Sequence, residues 1–165
     1  MSEWLIRSEA PSDAARIGEV TASAFAASEH GDSGEAGIVE RLRLAGDLAT
    51  SLVAEAGGIV GHVAFSPVRI SDGSRGWYGL GPVSVVPEWQ RRGVGSALIR
   101  AGLALLVERA AGGCVVLGNP DYYGRFGFVH DPLLTYPGPP ARLFQRLVLN
   151  GPPPCGVVAY APGFG

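Results

Sequence analysis

The segment Gln90-Arg91-Arg92-Gly93-Val94-Gly95-Ser96 joins two arginines and two glycines to the start of an apolar-periodic run. A helix opening at such a run presents backbone N–H groups without intrahelical partners and a partial positive charge, so it accepts a phosphate. Gly93 and Gly95 let an anion approach the backbone closely, and Arg91 and Arg92 add permanent charge beside it. Each helix-end interaction is worth roughly 0.3–2 kcal/mol, so several must act together on a pyrophosphate. A dinucleotide-binding fold places its first glycine directly after a strand and supplies a third. Here the preceding strand ends near Val86, and Leu98 stands where the third glycine belongs. A Walker loop requires a lysine, and the chain contains none. What remains is a helix-end site for a ligand such as CoA, or an ordinary amphipathic helix with a glycine-rich start.

The second chemical cluster is Tyr123-Gly124-Arg125-Phe126-Gly127-Phe128, with Tyr122 just before it. A phenol of ordinary pKa, ~10, keeps its proton at neutral pH and can donate it. Packing among Tyr122, Phe126 and Phe128 is the other reading of Tyr123, and Tyr122 is the competing candidate for the donor.

The elements that must position these residues can be read from patterning. Trp4 to Arg7 reads as a strand, and Pro11-Ser12-Asp13 opens a helix through about Phe25, with Ile17, Val20, Ala24 and Phe25 on one face. A second helix spans about Gly34 to Ala45, anchored by Ile38, Leu42 and Ala45. Leu52–Ala56 and Ile59–Val68 read as strands joined at Gly57-Gly58. Tyr78–Val86 reads as a central strand interrupted by Gly79, Gly81 and Pro82. A long helix runs from Gly93 to about Ala111, with Val94, Leu98, Ala101 and Leu105 on one face and Gly112-Gly113 as its stop. Cys114–Leu117 is a short buried strand, and Asn119-Pro120-Asp121 begins a short helix through Phe126. The proline-rich last third holds two strands, near Phe144–Leu149 and Gly156–Tyr160. Helices mixed with hairpin-connected strands predict a mixed α/β or α+β sheet, not a doubly wound one, in one domain over residues 1–165.

With these elements in place, Gln90–Gly95 resembles the Q/R-x-x-G-x-G/A signature of the GNAT superfamily of N-acetyltransferases, in the form Q-R-R-G-V-G. The strand Val83-Ser84-Val85-Val86-Pro87 is similar to the family's central strand, and Tyr123–Phe128 resembles its Y-x-x-x-G-F element. The resemblance is specific over Leu80–Phe128, extends from Trp4, and is weak beyond Pro132. It implies a mostly antiparallel sheet, flanked by helices, in which Tyr78–Val86 and Cys114–Leu117 splay apart. It implies acetyl-CoA as cosubstrate, with the pantetheine arm along Val83, Ser84 and Val85 and the pyrophosphate on Gln90, Arg91, Arg92, Gly93, Val94, Gly95 and Ser96. Tyr123 matches the tyrosine that protonates the departing thiolate. The acceptor implied is a primary amine, on a small molecule or a protein. Many members carry an asparagine seven residues before that tyrosine. Asn119 precedes Tyr123 by four, so it serves as a CoA contact or as a helix cap with Pro120 at the first turn. A non-catalytic acyl-CoA-binding or sensor module would share Gln90–Ser96 and differ at Tyr123.

The general base stays open among Glu29, His30, Glu35, His62 and Glu88, with a water relay as a further route. Glu29, Asp32, Glu35 and Glu40 form an acidic stretch that suits either a cationic acceptor or a solvated helix start. Cys114 among Val115, Val116 and Leu117 reads as packing, and the two cysteines and three histidines make no metal spacing, so no metal is expected. A net charge of −2 gives no attraction to nucleic acid or to a membrane. Apolar runs too short to span a bilayer and a Met1-Ser2-Glu3-Trp4 start without a basic region lead us to expect a cytoplasmic protein, with a homodimer left open.

Overall fold

The computed structural model describes residues 3–26 and 34–165. Strand β1 (Leu5–Ser8) leads through a 3₁₀ turn at Pro11–Asp13 into α1 (Ala14–Ala26). Pro11 sets the first turn, and the Asp13 carboxylate accepts from the Ala10 N–H at 2.6 Å and from Arg7 at 2.7 Å, which fixes the helix entry. Helix α2 (Glu35–Ala45) follows, then β2 (Thr50–Glu55), β3 (Ile59–Pro67), the two-residue β4 (Arg69–Ile70) and β5 (Trp77–Val85). Helix α3 (Val94–Glu108), β6 (Gly113–Leu117) and the single turn α4 (Pro120–Tyr123) come next. The chain ends with β7 (Leu134–Thr135), β8 (Phe144–Val148) and β9 (Gly156–Ala159).

Six strands form one sheet in the order β1-β2-β3-β5-β6-β8. Every neighbouring pair is antiparallel except β5 and β6, which run parallel. That parallel pair is short: Trp77, Tyr78 and Gly79 face Gly113, Cys114 and Val115, and pairing stops there. Past it, Val116 and Leu117 pair only with Gln145 and Phe144 of β8, while Val83 and Val85 stay paired with β3. A wedge therefore opens between two strands that begin side by side. On the β3 side, the register steps from Val63↔Val83 to Phe65↔Leu80, so β5 carries an extra residue around Gly81 and Pro82. Such a bulge bends the strand and loosens its pairing. This is the mixed, mostly antiparallel and splayed sheet that the sequence led us to expect.

Helix α3 lies against one face of the sheet. A β-carbon at Gly61 would touch Val94 and Leu98, and one at Gly102 would fall within the Phe65 ring, so both glycines are there for close approach. Ile17, Val20, Val39, Val53, Val63, Leu98 and Leu106 join one apolar core. Several details differ from the sequence reading. The buried face of α3 is Val94, Leu98, Ile99, Gly102, Leu103 and Leu106, while Ala101 and Leu105 sit half-buried at its margin. The helix stops at Glu108, with Ala110 in the left-handed region at φ 57°, before Gly112-Gly113 is reached. Helix α2 is anchored by Val39 and Leu42, with Ala45 exposed. A second sheet, in the order β4-β9-β7, caps the C-terminal part and uses two strands too short to show a period.

Candidate active site

The residues between β5 and α3 form a largely exposed loop. Gln90 donates through Nε2 to the Val85 carbonyl at 2.9 Å, which ties the loop back to the strand. Arg91 has φ 65° and Gly93 has φ 90°, both in the left-handed region. Alternating left-handed turns gather successive N–H groups into a concavity that suits an anion. Gly93 is the N-cap residue of α3 and has no side chain to cap with, so the first-turn N–H groups have no side-chain partner.

That helix start opens on a cleft of about 500 Å³. Its walls come from four places: Val83 and Val85 on β5, Trp89 to Arg91 and Gly93 to Ser96 around the loop, Tyr122, Tyr123 and Arg125 after β6, and Ala24 and Phe25 at the end of α1. Of the residues singled out by sequence, Val83, Val85, Gln90, Arg91, Gly93, Val94, Gly95, Ser96 and Tyr123 line the cleft together. Three do not. The Ser84 side chain is buried, and its hydroxyl has no partner among the described residues. Arg92 stacks 4.5 Å over Trp89 and pairs with Glu3 at 3.8 Å. Asn119 accepts from the Asp121 N–H at 2.9 Å and caps α4, the second of the two roles left open for it.

Tyr122 and Tyr123 do different things. Tyr122 Oη lies 3.1 Å from Ser96 Oγ, which binds the α4 turn to the first turn of α3. Tyr123 stands edge-on to Tyr122 at 5.0 Å and to Phe128 at 6.0 Å, and packs against Gly118, where a β-carbon would strike its ring. Its hydroxyl has no hydrogen-bond partner among the described residues, yet it is not among the fully buried orphan atoms, so it opens to the cleft. Burial, followed by its neighbours Tyr122 and Cys114, raises the Tyr123 phenol to about 12. It remains a hydrogen-bond donor throughout the physiological range.

The candidates for a general base are scattered. His62 on β3 is fully buried and outside the cleft. Its Nε2 lies 2.7 Å from Ser51 Oγ, Ser51 hydrogen-bonds to Glu9, and Glu9 pairs with Arg43 at 3.0 Å. Burial pushes His62 down to about 4, with Glu9 opposing and Arg43 reinforcing that direction, so the ring is neutral at pH 7. Glu88 is exposed on the turn at Pro87–Trp89, and Glu35 is in the first turn of α2. Glu29, His30 and Asp32 lie outside the described residues. Glu40 of the acidic stretch is paired with Arg43 at 2.6 Å. Cys114 is fully buried, and burial pushes its thiol up, which removes the thiolate that a covalent route would need.

The His62 environment carries a pH prediction. A histidine whose folded pKa is depressed stabilises the fold above its ordinary value near 6.5 and loses that contribution as pH falls toward 4. Between pH 7 and 4.5 the loss is about 2–3 kcal/mol. Urea unfolding at several pH values should therefore show a steep decline for the wild type and a shallower one for His62→Gln. Parallel declines would place the titration elsewhere.

Sequence reasoning missed Ala24, Phe25, Trp89 and Arg125 as cleft residues. Arg125 carried a signal, a lone cation inside the aromatic block. Ala24 and Phe25 arrive only through the packing of α1.

Comparison with known proteins decides the family. The model of the acetyltransferase (GNAT) domain matches residues 47–130. The uncharacterized N-acetyltransferase YhbS of Escherichia coli K12 is 36% identical over 140 residues, covering 81% of each chain. The chain belongs to the GNAT acetyltransferase family. A GNAT family acetyltransferase from Brucella melitensis, solved in complex with acetyl-CoA, is 46% identical, with a TM-score of 0.87 over 98% of each chain. The Escherichia coli YhbS structure, in complex with CoA, gives a TM-score of 0.88 at 34% identity, covering 98% of this chain and 91% of that one. Among the described residues of this GNAT chain, no group of three or more His, Cys, Asp or Glu side chains could hold a metal ion. No described helix is long and apolar enough to cross a membrane.

Proposed function

We propose that this protein is an acetyl-CoA-dependent N-acetyltransferase that uses the cleft between β5, α3 and α4. The observation that carries the proposal is a convergence in one cavity: the uncapped, glycine-bounded start of α3, the β5 edge at Val83 and Val85 beyond its pairing with β6, and Tyr123. The residues fit the cosubstrate. Backbone from Gln90 to Ser96 receives the pyrophosphate, and space at Gly95 leaves the approach clear. The β5 edge released from β6, at Val83 to Val85, offers backbone groups to the pantetheine amides as a neighbouring strand would. The acetyl-CoA and CoA complexes of the Brucella melitensis and Escherichia coli relatives support this reading.

When bound, acetyl-CoA supplies a thioester whose carbonyl a neutral primary amine attacks. Backbone N–H on the Val83–Val85 edge stabilises charge on the carbonyl oxygen. Tyr123 donates its hydrogen bond to the sulfur as the C–S bond breaks, and the proton lost by the amine nitrogen leaves through water, giving the acetylated amine and the CoA thiol. With burial pushing the phenol up to about 12, full proton transfer to a thiolate is uphill. Burial also raises the basicity of a sulfur held in the same cleft, which narrows that gap. Tyr123 therefore acts most strongly at the moment when charge on the sulfur is greatest.

The acceptor approaches past Ala24 and Phe25, the wall contributed by α1. The test is release of free thiol from acetyl-CoA in the presence of a panel of small amines and peptide N-termini. Amine-dependent release that saturates with at least one acceptor supports transfer. Tight acetyl-CoA binding without acetylation of any amine would instead favour a non-catalytic binding module.

A further inference from the structure

CoA carries two separate anionic groups, the pyrophosphate and the 3′-phosphate of its adenosine. The proposed reading assigns the pyrophosphate to the start of α3 and leaves the 3′-phosphate to be placed. One ribose separates the two groups, so a pyrophosphate on the α3 start keeps the 3′-phosphate close to the cleft, where a cation would grip it. Arg92 is turned away, stacked on Trp89 and paired with Glu3. Arg91 lines the same cleft from within the loop, where its charge adds to the pyrophosphate site.

Arg125 is placed differently. It lines the cleft from the 3₁₀ turn Gly124–Phe126 that follows α4. Its guanidinium carbon lies 4.5 Å over the Tyr122 ring, and Tyr122 is anchored to Ser96 at the first turn of α3. Stacking uses the face of the guanidinium and leaves its in-plane N–H edge available, which is the edge that grips a phosphate. Among the described residues Arg125 forms no ion pair, whereas Arg7, Arg43 and Arg146 are each held by a carboxylate. A second cation, Arg100, lies 4.8 Å over Phe126, whose ring is edge-on to Tyr122 at 5.5 Å, so two arginines flank one aromatic cluster. Tyr122 thus acts as a plate that holds Arg125 in place beside the pyrophosphate site.

We propose that Arg125 binds the 3′-phosphate of the CoA nucleotide and makes this enzyme prefer CoA thioesters to their 3′-dephospho forms. The proposal rests on the cleft being the acetyl-CoA site. It is tested with purified full-length protein, using acetyl-CoA and acetyl-3′-dephospho-CoA as the two ligands, by calorimetric Kd and by KM with a fixed amine. The wild type should bind acetyl-CoA about 10- to 100-fold more tightly than the dephospho compound, the range of one to two charge-assisted contacts. Arg125→Gln should lose most of that factor for acetyl-CoA, in both Kd and KM, and bind the dephospho compound as the wild type does. Arg125→Lys should recover part of the preference, as a point charge without the fork. Equal weakening of both ligands in Arg125→Gln would overturn the proposal, since Arg125 would then serve a part of the ligand common to both. A wild type that binds both equally would overturn it while leaving the cleft reading intact. A wild type that binds neither would overturn both.

Discussion

Tyr123→Phe is expected to reduce turnover by about 10²–10⁴-fold while acetyl-CoA affinity stays within about twofold, the signature of a donor needed only as the sulfur departs. The ring keeps its contacts with Tyr122, Phe128 and Gly118, so the substitution removes one hydroxyl that has no hydrogen-bond partner to lose among the described residues. Folding is therefore undisturbed, and circular dichroism should show no change. The loss depends on pH in a defined direction. Once pH exceeds the leaving thiol's own pKa, near ~8.5, the thiolate departs without a proton and the deficit should shrink. Tyr122→Phe is the comparison. Its hydroxyl is committed to Ser96 at 3.1 Å, so its removal should act mainly through acetyl-CoA affinity. If Tyr123→Phe turns over like the wild type at every pH while Tyr122→Phe collapses, the donor role belongs to Tyr122.

Gly95→Val should keep the fold and lose about 10- to 100-fold in acetyl-CoA affinity, the equivalent of two or more helix-end interactions. A β-carbon at Gly95 would meet Tyr122 Oη at 3.5 Å, Val85 Cγ2 at 3.7 Å and Val83 Cγ1 at 3.9 Å, all ordinary contacts. The two methyl groups beyond it extend into space that the ligand needs. Gly93 is a poorer probe. Its φ of 90° strains any side chain, so replacing it alters the loop backbone as well as the ligand approach. Unchanged affinity in Gly95→Val, with an intact fold, would remove the pyrophosphate from this helix start.

Much of the architecture follows from local physics. The start of α3 was legible because uncapped glycines, arginines and an apolar period coincide within seven residues, Gln90 to Ser96. The irregularity of β5 could be read from Gly79, Gly81 and Pro82, and it appears as a register step opposite Val63 and Phe65. What could not be read depends on the tertiary arrangement. Ala24 and Phe25 reach the cleft by way of α1, some sixty residues from the strand they face, and no local pattern encodes that approach. The run from Arg43 through Glu9 and Ser51 to His62 draws on three strands or their flanks and a helix, so His62 in isolation gave no sign of its partners. The end of α3 was misplaced because Gly112-Gly113 carries the stronger stop signal, whereas the turn is made by Ala110. The second sheet escaped notice because β4 and β7 have two residues each and cannot show an alternation.

Isothermal titration of acetyl-CoA into the wild-type protein tests the central claim most directly. Every role assigned to the α3 start, the β5 edge and Tyr123 requires that ligand in that cleft. The account predicts saturable binding at one site per chain, with a Kd in the micromolar range or tighter. A matching rise in Tm should appear, because a ligand that binds only the native state must stabilise it by about 2.7 kcal/mol at a hundred times its Kd. No binding heat and no shift in Tm, from protein whose circular dichroism shows the native fold, would contradict it.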